Sequence, residues 1–369
     1  MKTTQLYDYH RKHAKLTEFA GYDMPLWYTS TSEEHMAVRN GCGIFDVSHM
    51  GRVTVQGEAA GSFLEGLVPT NVQSQPSGKA FYTLLLNEEA GILDDLIIIR
   101  VTDTEFVVIV NAANAVADLK HIRERAPPAV SIEDVTASTA MIAVQGPRAQ
   151  AALQSLTPTD LGQVKRFRCV STKVLQQPAL VSRTGYTGED GFEVIVEGAP
   201  IDHPEGALMV WDQLAASCAP CGLSSRDSLR LEAGFPLHGF DIDPETNPFQ
   251  ADLGWVVSAE KTGYLGYESV AKLRGSPPDL LKRGVVLDRG IPRHGFEVVD
   301  PESNSVGTVT SGSFSPILRK GIALCRVKQG SSELGAEVRV KVRDAAELGR
   351  LVRPPFYDET RFGWKRSAK

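Results

Sequence analysis

The sequence predicts a β-rich α+β fold of two or three domains, and three observations carry that prediction. Residues 51–110 hold short apolar or alternating runs separated by Gly, Asn, Asp and Glu clusters, as antiparallel strands joined by turns do. Neither a regular βαβ rhythm nor a G-x-G-x-x-G or Walker lysine motif occurs, which argues against a doubly wound nucleotide-binding sheet. After Pro277-Pro278 comes an unbroken series of short strands. The 369 residues exceed the length at which single cores stop growing.

Composition narrows the class further. With 42% hydrophobic and 23% charged residues the chain is an ordinary globular protein, and with five cysteines it is no disulfide-stapled mini-protein. The net charge of −6 gives no general attraction to nucleic acid or anionic lipid. No apolar run approaches signal-peptide or membrane-span length. Cys42, Cys169, Cys218, Cys221 and Cys325 are odd in number and mostly isolated, which suits a reducing, cytoplasmic setting. The Cys218-Ala-Pro-Cys221 run lacks the thioredoxin-like strand a redox dithiol needs.

A helix is expected over 32–41, with a serine as cap, acidic residues in its first turn and Gly41 at its end. Strands are expected at 52–57, 80–86, 96–101 and 105–110, with helices at 59–67 and 114–126, the second stopped by Pro127-Pro128. Strands follow at 139–145, 178–184 and 191–198, with helices at 207–217 and 224–234. An extended stretch over 241–254 precedes a helix at 267–275. The last domain has strands at 284–288, 296–300, 306–312, 321–327, 336–344 and 347–352, a small β-sandwich or barrel. There Val338, Val340 and Val342 alternate with Arg339, Lys341 and Arg343, the period of a sheet with one wet face.

Three motifs carry chemistry. In 91–100, GILDDLIIIR, Asp95 shares a face with Leu93, Ile97 and Ile99, and Asp94 shares the other with Ile92, Leu96 and Ile98. One carboxylate therefore points into apolar surroundings, where it serves proton handling, or else closes a turn. In 182–194, SRTGYTGEDGFEV, Gly185, Gly188 and Gly191 allow positive φ and let the backbone fold against a flat ligand beside Tyr186. Glu193 on the following strand suits a paired donor edge, or it is a surface glutamate beside a long hairpin loop. In 222–234, GLSSRDSLRLEAG, Ser224 resembles a cap, and Arg226 sits in the first helical turn, where the dipole disfavours a cation. It meets an anionic partner there or pairs on the surface with Asp227 or Glu232. The histidines, among them His10, His13 and His49, show no metal-site spacing, and no metal centre is expected.

In order along the chain stand MPLWY, FDVSHMG, GKAFYTLLLNEEAGILDDL, VIVNAAN, AVQGP, RTGYTGEDGFE, RDSLRLEAGFPLHGFDID, LGWVV, GTVTSGSFSP and GIAL. From about Leu6 to Phe356 this series resembles the aminomethyltransferase, or T protein, family of the glycine cleavage system. The resemblance implies a three-domain cloverleaf of mostly antiparallel sheets around a central folate channel, with a last domain that is a small β-barrel or jelly roll. It divides the chain into a discontinuous first domain of 1–50 plus 137–275, a second of 51–136 and a third of 276–369. It implies transfer of a one-carbon unit from the aminomethyl group on the lipoyl arm of a carrier H protein to tetrahydrofolate, with release of ammonia. Asp95 is then the catalytic candidate, near N5 of the folate. Met50, Tyr82, Asn111, Tyr186, Glu193, Arg226 and Trp255 match folate-contact positions, Glu193 at the pterin edge. A monomer with no nucleic-acid or membrane partner is expected. Ala90 stands where the family commonly has a second glycine, and Ser224-Ser225 where it has Gly-Ala. The competing readings are a folate-dependent demethylase of a small methylated compound and a non-catalytic folate binder.

Overall fold

The computed structural model describes residues 1–343 and 345–366, and Asp344, the last residue of the strand expected over 336–344, lies outside them. Two compact units are present: residues 1–83 with 95–226, and residues 84–94 with 227–369. The fold is α+β with mostly antiparallel sheets, as the sequence predicts.

The first unit holds the hairpin Lys15–Phe19 with Tyr22–Trp27 and two larger sheets, though residues 84–86 and 92–94 of the second larger sheet belong to the other unit. One has six strands in the order Cys169–Val174, Gln177–Ser182, Gly191–Val196, Ala140–Gln145, Gly43–Asp46 and Ala219–Pro220, antiparallel except for the last pair. Both central strands, Gly191–Val196 and Ala140–Gln145, are buried at every position, so their sequences are mainly apolar, with Glu193 and Gln145 as the buried polar exceptions. Helix Glu205–Ala215 closes one face of this core with Trp211, Val210 and Leu214, none of them exposed. The other sheet has the order Lys79–Leu86, Ile92–Arg100, Glu105–Val110, Gly51–Gln56 and Ser131–Asp134. Burial along Ile92–Leu96 alternates as strand parity requires.

Helix Thr31–Asn40 starts one residue earlier than expected, because Ser30, not Ser32, accepts the Glu33 amide as its cap. Helix Leu223–Ala233 likewise begins ahead of Ser224, whose hydroxyl donates instead to the Leu26 carbonyl at 2.8 Å. The cysteines are not all isolated. Cys42 and Cys218, 176 residues apart, form a disulfide, while Cys169, Cys221 and Cys325 are free thiols. The Cys218-Ala-Pro-Cys221 pair does not close, since Cys218 is committed to Cys42.

The second unit is built on a closed barrel of Leu280–Leu287, Lys320–Lys328, Ser305–Ser315, Glu297–Val299, Glu337–Val342 and Ala345–Val352, in that order around the ring. Val338 and Val340 point into its core with Val285, Val298, Val309 and Val327, while Lys341 faces water. The stretch over 241–254 is not extended. Asp243 accepts from Glu245 N and Thr246 Oγ1, and Asn247 accepts from Phe249 N and Gln250 N, so side-chain turns coil the chain here. Ala90 adopts φ +68°, a left-handed conformation that explains why glycine suits this position.

Candidate functional site

Strand Ile92–Arg100 separates its two aspartates by burial. Asp94 has no exposed surface, so it is the carboxylate that parity turns inward, whereas Asp95 lies on the half-exposed face. Asp95 is held from two sides: Tyr82 Oη donates to Oδ2 at 3.0 Å, and Asn111 Nδ2 donates to Oδ1 at 2.8 Å. These two neutral donors fix the carboxylate's plane, as a group that handles a proton requires.

A second cluster surrounds Arg226. Its guanidinium lies over the Tyr186 ring, 4.8 Å from the centroid, and its Nη2 is 3.9 Å from the sulfur of Met50. Its Nη1 is enclosed and has no hydrogen-bond partner among the described residues. Burial lowers the pKa of Arg226, opposed by the negative charge of Glu193. Glu193 is 7% exposed, and its pKa is raised by burial against the opposing pull of the Thr184 hydroxyl and Arg226. No ion pair joins the two among the described residues, although each feels the other's charge.

The two clusters meet along the pairing of strands Gly51–Gln56 and Glu105–Val110. Gly51 faces Val110 in that register, so Met50 and Asn111 flank the same rung. Met50, Tyr82, Asp95, Asn111, Tyr186, Glu193 and Arg226 thus all belong to the first unit. Trp255 belongs to the second, on the short helix Gly254–Val256, with 70% of its surface exposed.

The glycine-rich loop owes its shape to a buried residue far away in the chain. Gln145 Nε2 donates to the carbonyls of Thr184 and Phe192, and its Oε1 accepts from Thr187 Oγ1. A Cβ on Gly185 would fall 2.0 Å from Gln145 Oε1, and one on Gly191 2.4 Å from the Val144 carbonyl. Only Gly188, at φ +79°, uses positive φ, so the other two glycines serve close approach and not backbone freedom. Arg39, fully buried, ties the far side of the loop through the Thr187 carbonyl at 2.8 Å and Glu189 at 3.0 Å.

A cavity of about 680 Å³ in the same unit is lined by Lys2, Tyr22, His49, Leu119 and Arg123, among others, and by none of the eight expected residues. His49 at its wall is 4% exposed, with its pKa lowered to about 3 by burial, so the ring is neutral. Gln145, Thr184 and Arg39 carry no motif signal of their own beyond lying in or near the quoted blocks.

The sequence matches the family models for the GCVT N-terminal domain over residues 6–261 and the glycine cleavage T-protein C-terminal barrel domain over residues 283–358. Together they define a folate-dependent one-carbon transferase. The aminomethyltransferase of Thermus thermophilus is 43% identical over 359 residues, covering 96% of this chain and 99% of that protein. That of Synechococcus elongatus is 40% identical over 356 residues, covering 95% and 94%. The solved glycine cleavage system aminomethyltransferase T from Bartonella henselae superposes with a TM-score of 0.90 at 34% identity, covering 98% of this chain and 99% of that one. The chain belongs to the aminomethyltransferase, or T protein, family of the glycine cleavage system. It is a tetrahydrofolate-dependent aminomethyltransferase, and its family acts with the H protein and folate. Among the described residues no helix is long and apolar enough to cross a membrane.

Proposed function

We propose that this chain carries out aminomethyl transfer with Asp95 as its catalytic residue and with Glu193, Arg226, Tyr82, Tyr186, Asn111 and Met50 binding tetrahydrofolate. The single observation that supports the assignment most is the enclosed, unpartnered Nη1 of Arg226 beside the buried carboxylate of Glu193. An enclosed guanidinium nitrogen and a buried carboxylate that do not pair directly are costly unless a ligand supplies the missing hydrogen bonds. A pterin ring fits both: its amino and ring N–H edge donates to Glu193, and its carbonyl accepts from Arg226. Tetrahydrofolate supplies the nucleophilic N5 amine.

Asp95, oriented by Tyr82 and Asn111, accepts or shares the proton at that amine and holds it in line for transfer. Met50 and Tyr186 bracket the guanidinium and give the ligand apolar and aromatic surface. Trp255 is proposed as a folate contact from its LGWVV match alone. The one-carbon unit arrives on the S-aminomethyldihydrolipoyl arm of the H protein and leaves as 5,10-methylenetetrahydrofolate with ammonia.

The test is equilibrium binding of tetrahydrofolate to Glu193→Ala and Asp95→Asn. Glu193→Ala is expected to weaken binding by ~10- to 100-fold, the scale of a hydrogen bond to a charged group, while Asp95→Asn stays within a few-fold of the unmodified protein. Unchanged affinity in Glu193→Ala contradicts the assignment.

The division into 1–50 plus 137–275, 51–136 and 276–369 is also proposed, on the ground that each sheet takes all its strands from one of these segments. A monomeric, cytoplasmic enzyme without a nucleic-acid partner is the accompanying reading. The net charge of −6 supports the lack of a nucleic-acid partner, whereas the Cys42–Cys218 disulfide weighs against the reducing compartment that the cysteine spacing suggests.

A further inference from the structure

Strands Gln177–Ser182 and Gly191–Val196 pair with Ser182 directly opposite Glu193. Two residues beyond Ser182, at the mouth of the glycine-rich loop, Thr184 turns its hydroxyl back onto the same rung. Its Oγ1 donates to Glu193 Oε2 at 2.5 Å, and Ser182 Oγ lies 2.7 Å from Thr184 Oγ1. All three residues are buried, at 2, 7 and 7% exposure for Ser182, Thr184 and Glu193.

The proton count sets the direction of this chain. A hydroxyl has one proton, and an ionised carboxylate has none to give. Thr184 spends its proton on Glu193 and so accepts from Ser182, whose other acceptor, the Glu193 carbonyl, is farther away at 3.5 Å, which gives a one-way relay from Ser182 through Thr184 to Glu193 Oε2. We infer that Thr184 is a positioning residue for the Glu193 carboxylate, that Ser182 orients Thr184, and that together they commit Oε2 to the protein and keep Oε1 for a ligand's N–H donors.

The backbone makes the relay stiff. The Thr184 carbonyl is held by Gln145 Nε2 at 3.1 Å, and Gly185, next in sequence, has no room for a Cβ against Gln145. The groups that act on the Glu193 carboxylate are Arg226 and, stacked on Arg226, Tyr186, while the loop itself also carries two ion pairs, Arg183 with Asp190 and Arg39 with Glu189. Burial already raises the carboxyl pKa of Glu193, and the Thr184 hydroxyl is the largest counterweight, ahead of the Arg226 charge. Loss of that hydroxyl therefore makes Glu193 take up a proton at higher pH. A protonated carboxyl is a poorer acceptor for an amino edge.

The inference rests on Glu193 as the folate carboxylate, and the experiment separates the two. Dissociation constants for tetrahydrofolate are measured from pH 5 to 9 in the full-length unmodified protein, Thr184→Val, Thr184→Ser, Ser182→Ala and Glu193→Gln. Thr184→Val is expected to bind about 10-fold more weakly at neutral pH, with the acid-side loss of affinity moved to higher pH. Thr184→Ser restores both. Ser182→Ala shifts both in the same direction by about 3-fold, and it keeps the test available if Thr184→Val does not fold. If Glu193→Gln weakens binding while Thr184→Val and Ser182→Ala match the unmodified protein at every pH, the relay is wrong. If Glu193→Gln binds normally, the folate assignment fails first. A purely structural role for Thr184 would lower the melting temperature without moving the pH profile, which also overturns the inference.

Discussion

Asn111 grips Asp95 at two points: its Nδ2 lies 2.8 Å from the carboxylate Oδ1 and 3.3 Å from the Asp95 carbonyl. One amide group thus fixes backbone and side chain of the same residue on the neighbouring strand. The carboxylate reaches its position by strand pairing and keeps its orientation by two neutral hydrogen bonds.

Asp95→Asn is expected to cut kcat by about 100-fold or more, since it removes the proton acceptor while keeping shape. Asn111→Ala and Tyr82→Phe each leave the carboxylate in place but less oriented, and a loss of about 10-fold is expected from each. Steady-state turnover with loaded carrier checks all three. Full activity in Asp95→Asn removes that residue from the chemistry.

Glu193 gives a pH-dependent stability prediction. Folding raises its pKa, through burial opposed by Thr184 and Arg226, so its contribution to stability is fully present below the unfolded value and lost as pH rises through the folded one. At neutral pH the ionised carboxylate weighs against the ligand-free fold. Glu193→Gln should therefore melt higher than the unmodified protein at pH 8, and the gap should close toward pH 4. Calorimetric scans across that range decide it. An equal melting difference at both ends contradicts the buried-carboxylate reading.

Arg226 combines a planar stack on Tyr186 with an enclosed, unpartnered nitrogen. Lysine keeps the charge but offers neither the flat face nor the second arm. Arg226→Lys is expected to lose ~10-fold or more in folate affinity, close to the loss in Arg226→Ala. Tyr186→Phe retains the stacking surface and stays within about 3-fold. Isothermal titration measures each, and rescue by lysine would show that charge alone suffices.

The Cys42–Cys218 disulfide closes a 176-residue span. Under non-reducing conditions Cys42→Ala is expected to lose about 2–4 kcal/mol of stability. With reductant present the variant and the parent should converge. Thiol labelling of the denatured protein supplies the count: three free cysteines without reductant, five with it.

The relation between sequence and structure follows contact range. Alternation in GILDDLIIIR is local, so it correctly separates Asp94 from Asp95 and marks one of them as buried. Barrel strands with one wet face, such as Glu337–Val342, are legible for the same reason. What no local pattern reveals is Gln145 threading its amide into a loop 39 to 47 residues away, or Cys42 meeting Cys218. Gly185 and Gly191 look like turn glycines in the sequence because the neighbour that forbids a side chain there comes from another strand. Thr184 goes unnoticed until the register sets Ser182 opposite Glu193. Ser30 outcompetes Ser32 as the helix cap by geometry that composition does not encode.

The most direct measurement is ammonia release by purified protein from aminomethyl-loaded, lipoylated H protein, with and without tetrahydrofolate. Release that depends on folate and yields 5,10-methylenetetrahydrofolate in equal amount is the predicted result. Ammonia release unaffected by tetrahydrofolate, from a protein that nonetheless binds it, contradicts the assignment of this chain to aminomethyl transfer.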